Sequence, residues 1–311
     1  MIPLLMAAAF AAVPARAAAP LGHARTYGVL ILAYDVNVAW RRELGSLRGL
    51  LKGRPVESVA RADDAVSVQR ALDLLVAQRV SKIVAVPIET ISGSPRLEQT
   101  RCLFEPNACP SSDRSPKPFH PARKSALAPL HLHDEAKILR SSVPLALAPA
   151  LDQSPLLVAI LADRAKALTK TPARESLVLA GVAPRSDAAL KAWKTAAQSI
   201  ADQVGAKAGF RKAVAVAVRD GVSSDRQNKD RAELQKTFRG LIREGRVTAV
   251  PLSPEAGRVE ELLKKALGGF YAYRWNGQGI QGDSRLADWI KASAETAAAM
   301  PDGRKINGEK R

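Results

Sequence analysis

The sequence predicts an α/β chain of two similar halves, each a mainly parallel sheet flanked by helices. Short apolar runs alternate with stretches of helical spacing, the pattern of strand–helix–strand units. Two of those runs end alike, Lys82-Ile-Val-Ala-Val-Pro-Ile and Arg246-Val-Thr-Ala-Val-Pro-Leu. Three strands and a tryptophan, first Trp40 and then Trp193, recur in the same order in both halves. A length of 311 residues suits two such units, since a domain takes about 100–200 residues.

In the first half, residues 27–33 form an apolar run that reads as a buried strand. A helical stretch follows around Trp40, and residues 55–60 read as a weaker strand. Between Asp64 and Val80, Val68, Leu72, Leu75 and Val76 recur at helical spacing. Residues 81–87 are the third strand. In the second half the strands are 176–181, 212–218 and 246–251, with helices carrying Trp193 and spanning 231–243. The boundary falls near 170–174, which gives domains of 25–170 and 174–298. Residues 292–300 finish a helix, and 301–311 read as a flexible basic tail.

The chain carries 47 Lys and Arg against 30 Asp and Glu, a net charge of +17. With 47% hydrophobic and 25% charged residues, the composition is that of a globular protein. A disordered chain, a collagen and a multi-span membrane protein are excluded. Two cysteines exclude a disulfide-stapled miniprotein, and four histidines leave few histidine-based metal sites. Aromatics at 5% argue against a stacking platform for single strands. The basic excess fits an anionic partner, or simply a basic compartment.

Residues 2–13 are apolar and too few to span a bilayer, which takes about 20 residues. Ala15-Arg-Ala17 and Ala17-Ala-Ala19 then offer A-x-A cleavage sites, so residues 1–19 read as a secretory signal. No Lys or Arg precedes the run, so the expected start lies a few residues upstream. The mature protein is expected to be exported, periplasmic or extracellular, with no transmembrane span. Cys102 and Cys109 sit close together in a loop-like stretch. In an oxidising compartment they are expected to pair; a dithiol metal site would want a second cysteine pair nearby.

In open α/β sheets, ligands bind beyond the carboxyl ends of the strands. That singles out the loops 34–37, 89–94, 182–185 and 253–257.

The layout resembles the class II chelatases, the sirohydrochlorin cobalt- and ferrochelatase family, in a two-half form. Four segments carry the resemblance: Gly28-Val-Leu-Ile-Leu-Ala-Tyr-Asp with Trp40, the helix–strand stretch 71–87, Ala148-Pro-Ala-Leu-Asp-Gln-Ser-Pro with Ile160-Leu-Ala-Asp-Arg-Ala, and Gly279-Ile-Gln-Gly-Asp-Ser-Arg-Leu-Ala-Asp-Trp. The resemblance implies insertion of a divalent metal (cobalt, nickel or iron) into a tetrapyrrole. Histidine serves there as ligand and proton acceptor. This sequence departs at each matched position: Tyr34 at the first strand end, Ser94 or Pro95 after the third, and Val182 in the second half. Tyrosine, with a pKa of about 10, is a poor base at neutral pH. Serine is a poor ligand for cobalt or nickel. Two classes of function remain: a divergent chelatase, or a non-catalytic carrier of metal or tetrapyrrole, or scaffold for a partner, built on the same fold.

The candidate residues follow from these positions. Glu89, just past the third strand, could bind metal or accept a proton; a solvated acid or an ion pair with an arginine is the plainer reading. Tyr34 and Asp35 could hydrogen-bond a ligand, or simply make a turn in which Asp35 caps the next helix. Ser92-Gly93-Ser94 could cradle an anion on backbone amides. It is not a P-loop, because no Gly-Lys-Ser/Thr follows. His131, His133 and Asp134, with Glu135 or His120, hold the densest set of metal-ligand types. Alternation puts both imidazoles on one face of an extended segment. They follow a Pro-rich basic insertion, 105–130. With Arg96, Arg101, Arg114, Arg123 and Lys124, this part of the chain could pair with the carboxylates of a tetrapyrrole or other polycarboxylate ligand, or be a solvated basic loop. Nucleic acid is not expected of an exported chain.

Overall fold

The computed structural model describes residues 26–34, 38–51, 53–104, 139–269 and 272–300. The signal segment, Asp35, Cys109, the insertion, His120, His131, His133, Asp134 and the basic tail lie outside the described residues.

Two four-stranded parallel sheets form the chain. The first half runs β1 (Tyr27–Leu32), α1 (Val38–Leu50), β2 (Val56–Val59), α2 (Ala65–Ala77), β3 (Lys82–Pro87), α3 (Pro95–Phe104), β4 (Leu145–Leu147) and α4 (Pro155–Lys166). The second runs β5 (Glu175–Val182), α5 (Asp187–Ala208), β6 (Lys212–Val218), α6 (Ser224–Glu244), β7 (Arg246–Pro251), α7 (Gly257–Leu267), β8 (Arg274–Trp275) and α8 (Arg285–Ala299). The sheet orders are β2-β1-β3-β4 and β6-β5-β7-β8, the same winding twice. The likeness extends to single bonds. Ile88 N donates to Leu32 O, and at the equivalent point Leu252 N donates to Ala180 O. Trp40 and Trp193 are both 1% exposed, each on the first helix of its half.

The central strands explain their own positions. β1, β3, β5 and β7 are continuous apolar runs, and a strand of that kind needs helices on both faces. Val29, Ile31, Val84 and Val86 face one layer, while Leu30, Leu32, Ile83 and Ala85 face the other.

The expected boundary at 170–174 falls between the sheets, but it does not separate two self-contained halves. Helix α4 precedes that boundary yet packs on the second sheet, with Leu157, Ile160 and Leu161 against Leu177, Leu179 and Trp193. Helix α8 packs back on the first, with Ala287, Ile290, Ala294 and Ala297 against Val29, Ile31, Val84 and Trp40. Periodicity tells that a helix has an apolar face, not which sheet covers it.

Helix α3 also differs from expectation. In the sequence Arg96 and Arg101 group with a basic loop and Cys102 with a loop-like stretch, yet all three lie on this helix. Ser94 starts it, its hydroxyl accepting from Leu97 N, and Pro95 sits in the first turn. Cys102 is disulfide-bonded. No helix among the described residues is long and apolar enough to cross a membrane.

Candidate functional site

The loops beyond β3, β5 and β7 meet between the halves. They enclose a cavity of about 20 Å³ lined by Glu89, Ser94, Arg96, Val182, Glu255 and Arg258, among others. That is room for about one water.

Glu89 is 4% exposed, and its carboxylate accepts from Thr90 N at 2.9 Å and from the Thr90 hydroxyl at 3.3 Å. The Thr90 hydroxyl also lies 3.2 Å from Leu252 O, across the cleft. Burial pushes the Glu89 carboxyl up from the usual range. The Arg96 guanidinium and the Thr90 and Ser94 hydrogen bonds pull it partway back.

Arg96 projects from the first turn of α3. Its guanidinium donates to Glu255 Oε1 at 2.8 Å, with side chains only 9% and 21% exposed. This ion pair joins the first half to the loop after β7. The guanidinium also lies 5.7 Å from the centre of the Tyr34 ring. Beside it, Arg258 is held by Asp220 and, at 2.6 Å, by Glu261. The loop carrying Glu255 is itself fixed. Gln281 N donates to Pro254 O at 2.9 Å, and the chain passes so close there that a Cβ on Gly279 would overlap Pro254 O.

Tyr34, expected as a catalytic group, is buried beneath the cleft. It is 1% exposed, its hydroxyl 2.9 Å from Thr100 Oγ1. Thr100 has its own hydrogen directed at the Ala62 and Arg96 carbonyls, so Tyr34 is the donor. Burial, with the Glu89 charge nearby, pushes its phenol up, which makes it a worse base still. The turn at Ser92-Gly93-Ser94 is a cradle, but an internal anion fills it. Ser92 N and Oγ donate to Asp152 at 2.8 and 2.9 Å. Ser94 N donates to Ile91 O, and Gly93 backs onto Trp193. Ser92 thereby ties the turn to the β4–α4 crossover, while Ser94 N closes the turn on itself. Among the described residues, no three His, Cys, Asp or Glu side chains come together as a metal site.

The structure therefore unites Glu89 with three residues that sequence reasoning did not assign to it. Arg96 was expected on the basic loop, while Glu255 and Arg258 lay in or beside a loop named only for its place after a strand. Their one signal is position, at the carboxyl ends of paired strands.

Two sheets of identical winding, with the cleft at their carboxyl edges, define a two-domain α/β protein with a chelatase-like fold. The chain is similar to SirB from Bacillus subtilis, solved with Fe3+, at a TM-score of 0.53 and 13% identity over 90% of this chain and 100% of that chain. Sugar-binding proteins align more loosely. AraP, an arabinose binding protein from Geobacillus stearothermophilus, gives a TM-score of 0.35 at 10% identity, covering 91% of this chain and 94% of that one. A periplasmic solute binding protein from Actinobacillus succinogenes with bound D-allose gives 0.34 at 9%, covering 91% and 96%. No protein-family model matches the chain, and no curated protein sequence matches it.

Proposed function

We propose that this chain is an exported, chelatase-derived binding protein that holds a tetrapyrrole or similar polycarboxylate between its halves and does not insert a metal. Arg96 carries the reading. A fixed guanidinium beside Glu89 opposes a divalent cation at the strand ends by direct repulsion, while the same group suits a carboxylate, which it can hold through two parallel hydrogen bonds. Export is supported by the apolar run at 2–13 with its A-x-A sites, and by the disulfide at Cys102. The cavity as it stands has room for about one water, so a ligand of this size needs the Arg96–Glu255 pair to part. Glu255 then turns to solvent and Arg96 to the ligand.

Glu89 favours a second reading. A buried carboxyl with a raised pKa is a fit proton acceptor. With a metal held by His131, His133 and Asp134, and the chelatase-like fold of a neighbour solved with Fe3+, it would support insertion.

Titration with sirohydrochlorin followed by absorbance, with and without Co²⁺ or Ni²⁺, separates the two. The binding protein shifts the tetrapyrrole spectrum and leaves metal insertion at the protein-free rate. Arg96→Ala weakens its binding by about 10–100-fold, the worth of a charge-assisted hydrogen bond. Insertion faster than the control makes the chain an enzyme, and Glu89→Gln would then abolish it. An unshifted spectrum removes both readings.

A further inference from the structure

We propose that the end of the second half opposite the cleft is a docking face for anionic phospholipid headgroups. Seven cations gather there: Lys170, Arg174, Lys207, Arg211, Lys212, Arg243 and Arg246, all exposed. The fold brings them together from five segments. Arg174 ends the turn before β5, Lys207 lies in the last turn of α5, and Arg243 in that of α6. Lys212 and Arg246 open β6 and β7, and the register sets them on either side of the start of β5, opposite Ser176 and Glu175. The Arg174 carbonyl and the Arg211 guanidinium both lie against Gly245.

The acids at this end do not balance them. Glu244 pairs with Arg211 at 3.5 Å and Lys212 at 3.4 Å. Glu175 is 1% exposed and is engaged by Arg274 and Thr248. Lys170, Arg174, Lys207, Arg243 and Arg246 have no carboxylate within ion-pair distance among the described residues. Favourable helix dipoles account for Lys207 and Arg243, which sit at helix C-termini. They do not account for cations at the starts of strands.

A bilayer fits this face better than other polyanions. The strand starts are level, so the charges spread over the end of a sheet instead of lining a groove. Among the described residues no exposed aromatic lies there to stack on a base, and no exposed large apolar side chain to enter a protein pocket. Each cation near an anionic leaflet strengthens binding, the effect falling off within a Debye length.

The test is cosedimentation of the whole chain with phosphatidylcholine vesicles, with and without phosphatidylglycerol. The wild type pellets with the anionic vesicles only, and salt releases it. Changing Lys170, Arg174 and Arg246 together to Ala weakens that binding by about a hundredfold, roughly fivefold for each cation. The comparison protein carries Arg42, Arg48 and Arg70 changed to Ala, which removes the same charge from the first half and keeps residues 2–13. It should bind like the wild type. Equal losses in the two variants would assign the binding to net charge and overturn the proposal. So would absence of binding to anionic vesicles, or a patch-dependent affinity for a nucleic acid or acidic protein alone.

Discussion

Glu89 is a residue whose chemistry is set by its surroundings. Its folded pKa is raised by burial, so the folded state holds the proton more tightly than the unfolded chain. Stability from this group is full below the unfolded value of 4.5 and is lost as pH rises through the folded value. Glu89→Gln, which keeps the shape and the acceptor for Thr90 N, removes that loss. The variant should match the wild type in acid and exceed it above the folded pKa, as measured by urea unfolding across pH. A wild type no less stable than the variant at high pH would sink the assignment. The place of Glu89 was legible in the sequence, because a residue just past a central strand must lie at the carboxyl edge. Its partners were not. Arg96 and Glu255 are 159 residues apart, and nothing local to either predicts that an ion pair will close between them. Tyr34 shows the converse: it lies at the strand end, but its hydroxyl is taken up by Thr100, on a helix the sequence did not reveal.

At the scale of elements, the halves repeat because their central strands repeat. The strands recognised in each half are the longer ones, and the central strands among them are largely apolar. β4 and β8, of three and two residues, are edge strands too short for a pattern to register. The exchanged helices are held by specific contacts. Lys82, the first residue of β3, sends its ammonium group to Ala298 O at 3.1 Å and Met300 O at 2.6 Å, at the end of α8. These carbonyls are among the last four of a helix, which have no partner within it. Lys82→Met keeps the buried stem and removes both bonds. It should cost about 1–3 kcal/mol in chemical unfolding, as loss of a charged donor does, with hydrogen exchange quickening first in α8. Unchanged exchange in that helix would show that the cap does not hold it.

For the whole molecule, the Arg96–Glu255 pair and the Thr90–Leu252 hydrogen bond hold the halves together over a cavity that admits about one water. Arg96→Met with Glu255→Gln should open the cleft with less loss of stability than either change alone, since each single change strands a largely buried charge. A double-mutant cycle reads the coupling, about 0.5–3 kcal/mol for residues in contact, and small-angle scattering reads the opening. Additive losses would mean that the pair does not act as a unit. The exchange of α4 and α8 has a further consequence, in time rather than space. A growing chain has every strand of its first sheet by residue 147, but one of the two helices that cover one face of that sheet ends at residue 299. The second sheet has no such wait, because α4 is made before β5 begins. The half that is synthesised first is therefore completed last, and until the ribosome nears the end of the message Val29, Ile31, Val84 and Val86 have only Trp40, Leu47 and Leu51, on and just after α1, for cover on that face. The first core of such a chain stays incomplete, and open to a chaperone, for almost the whole of its synthesis.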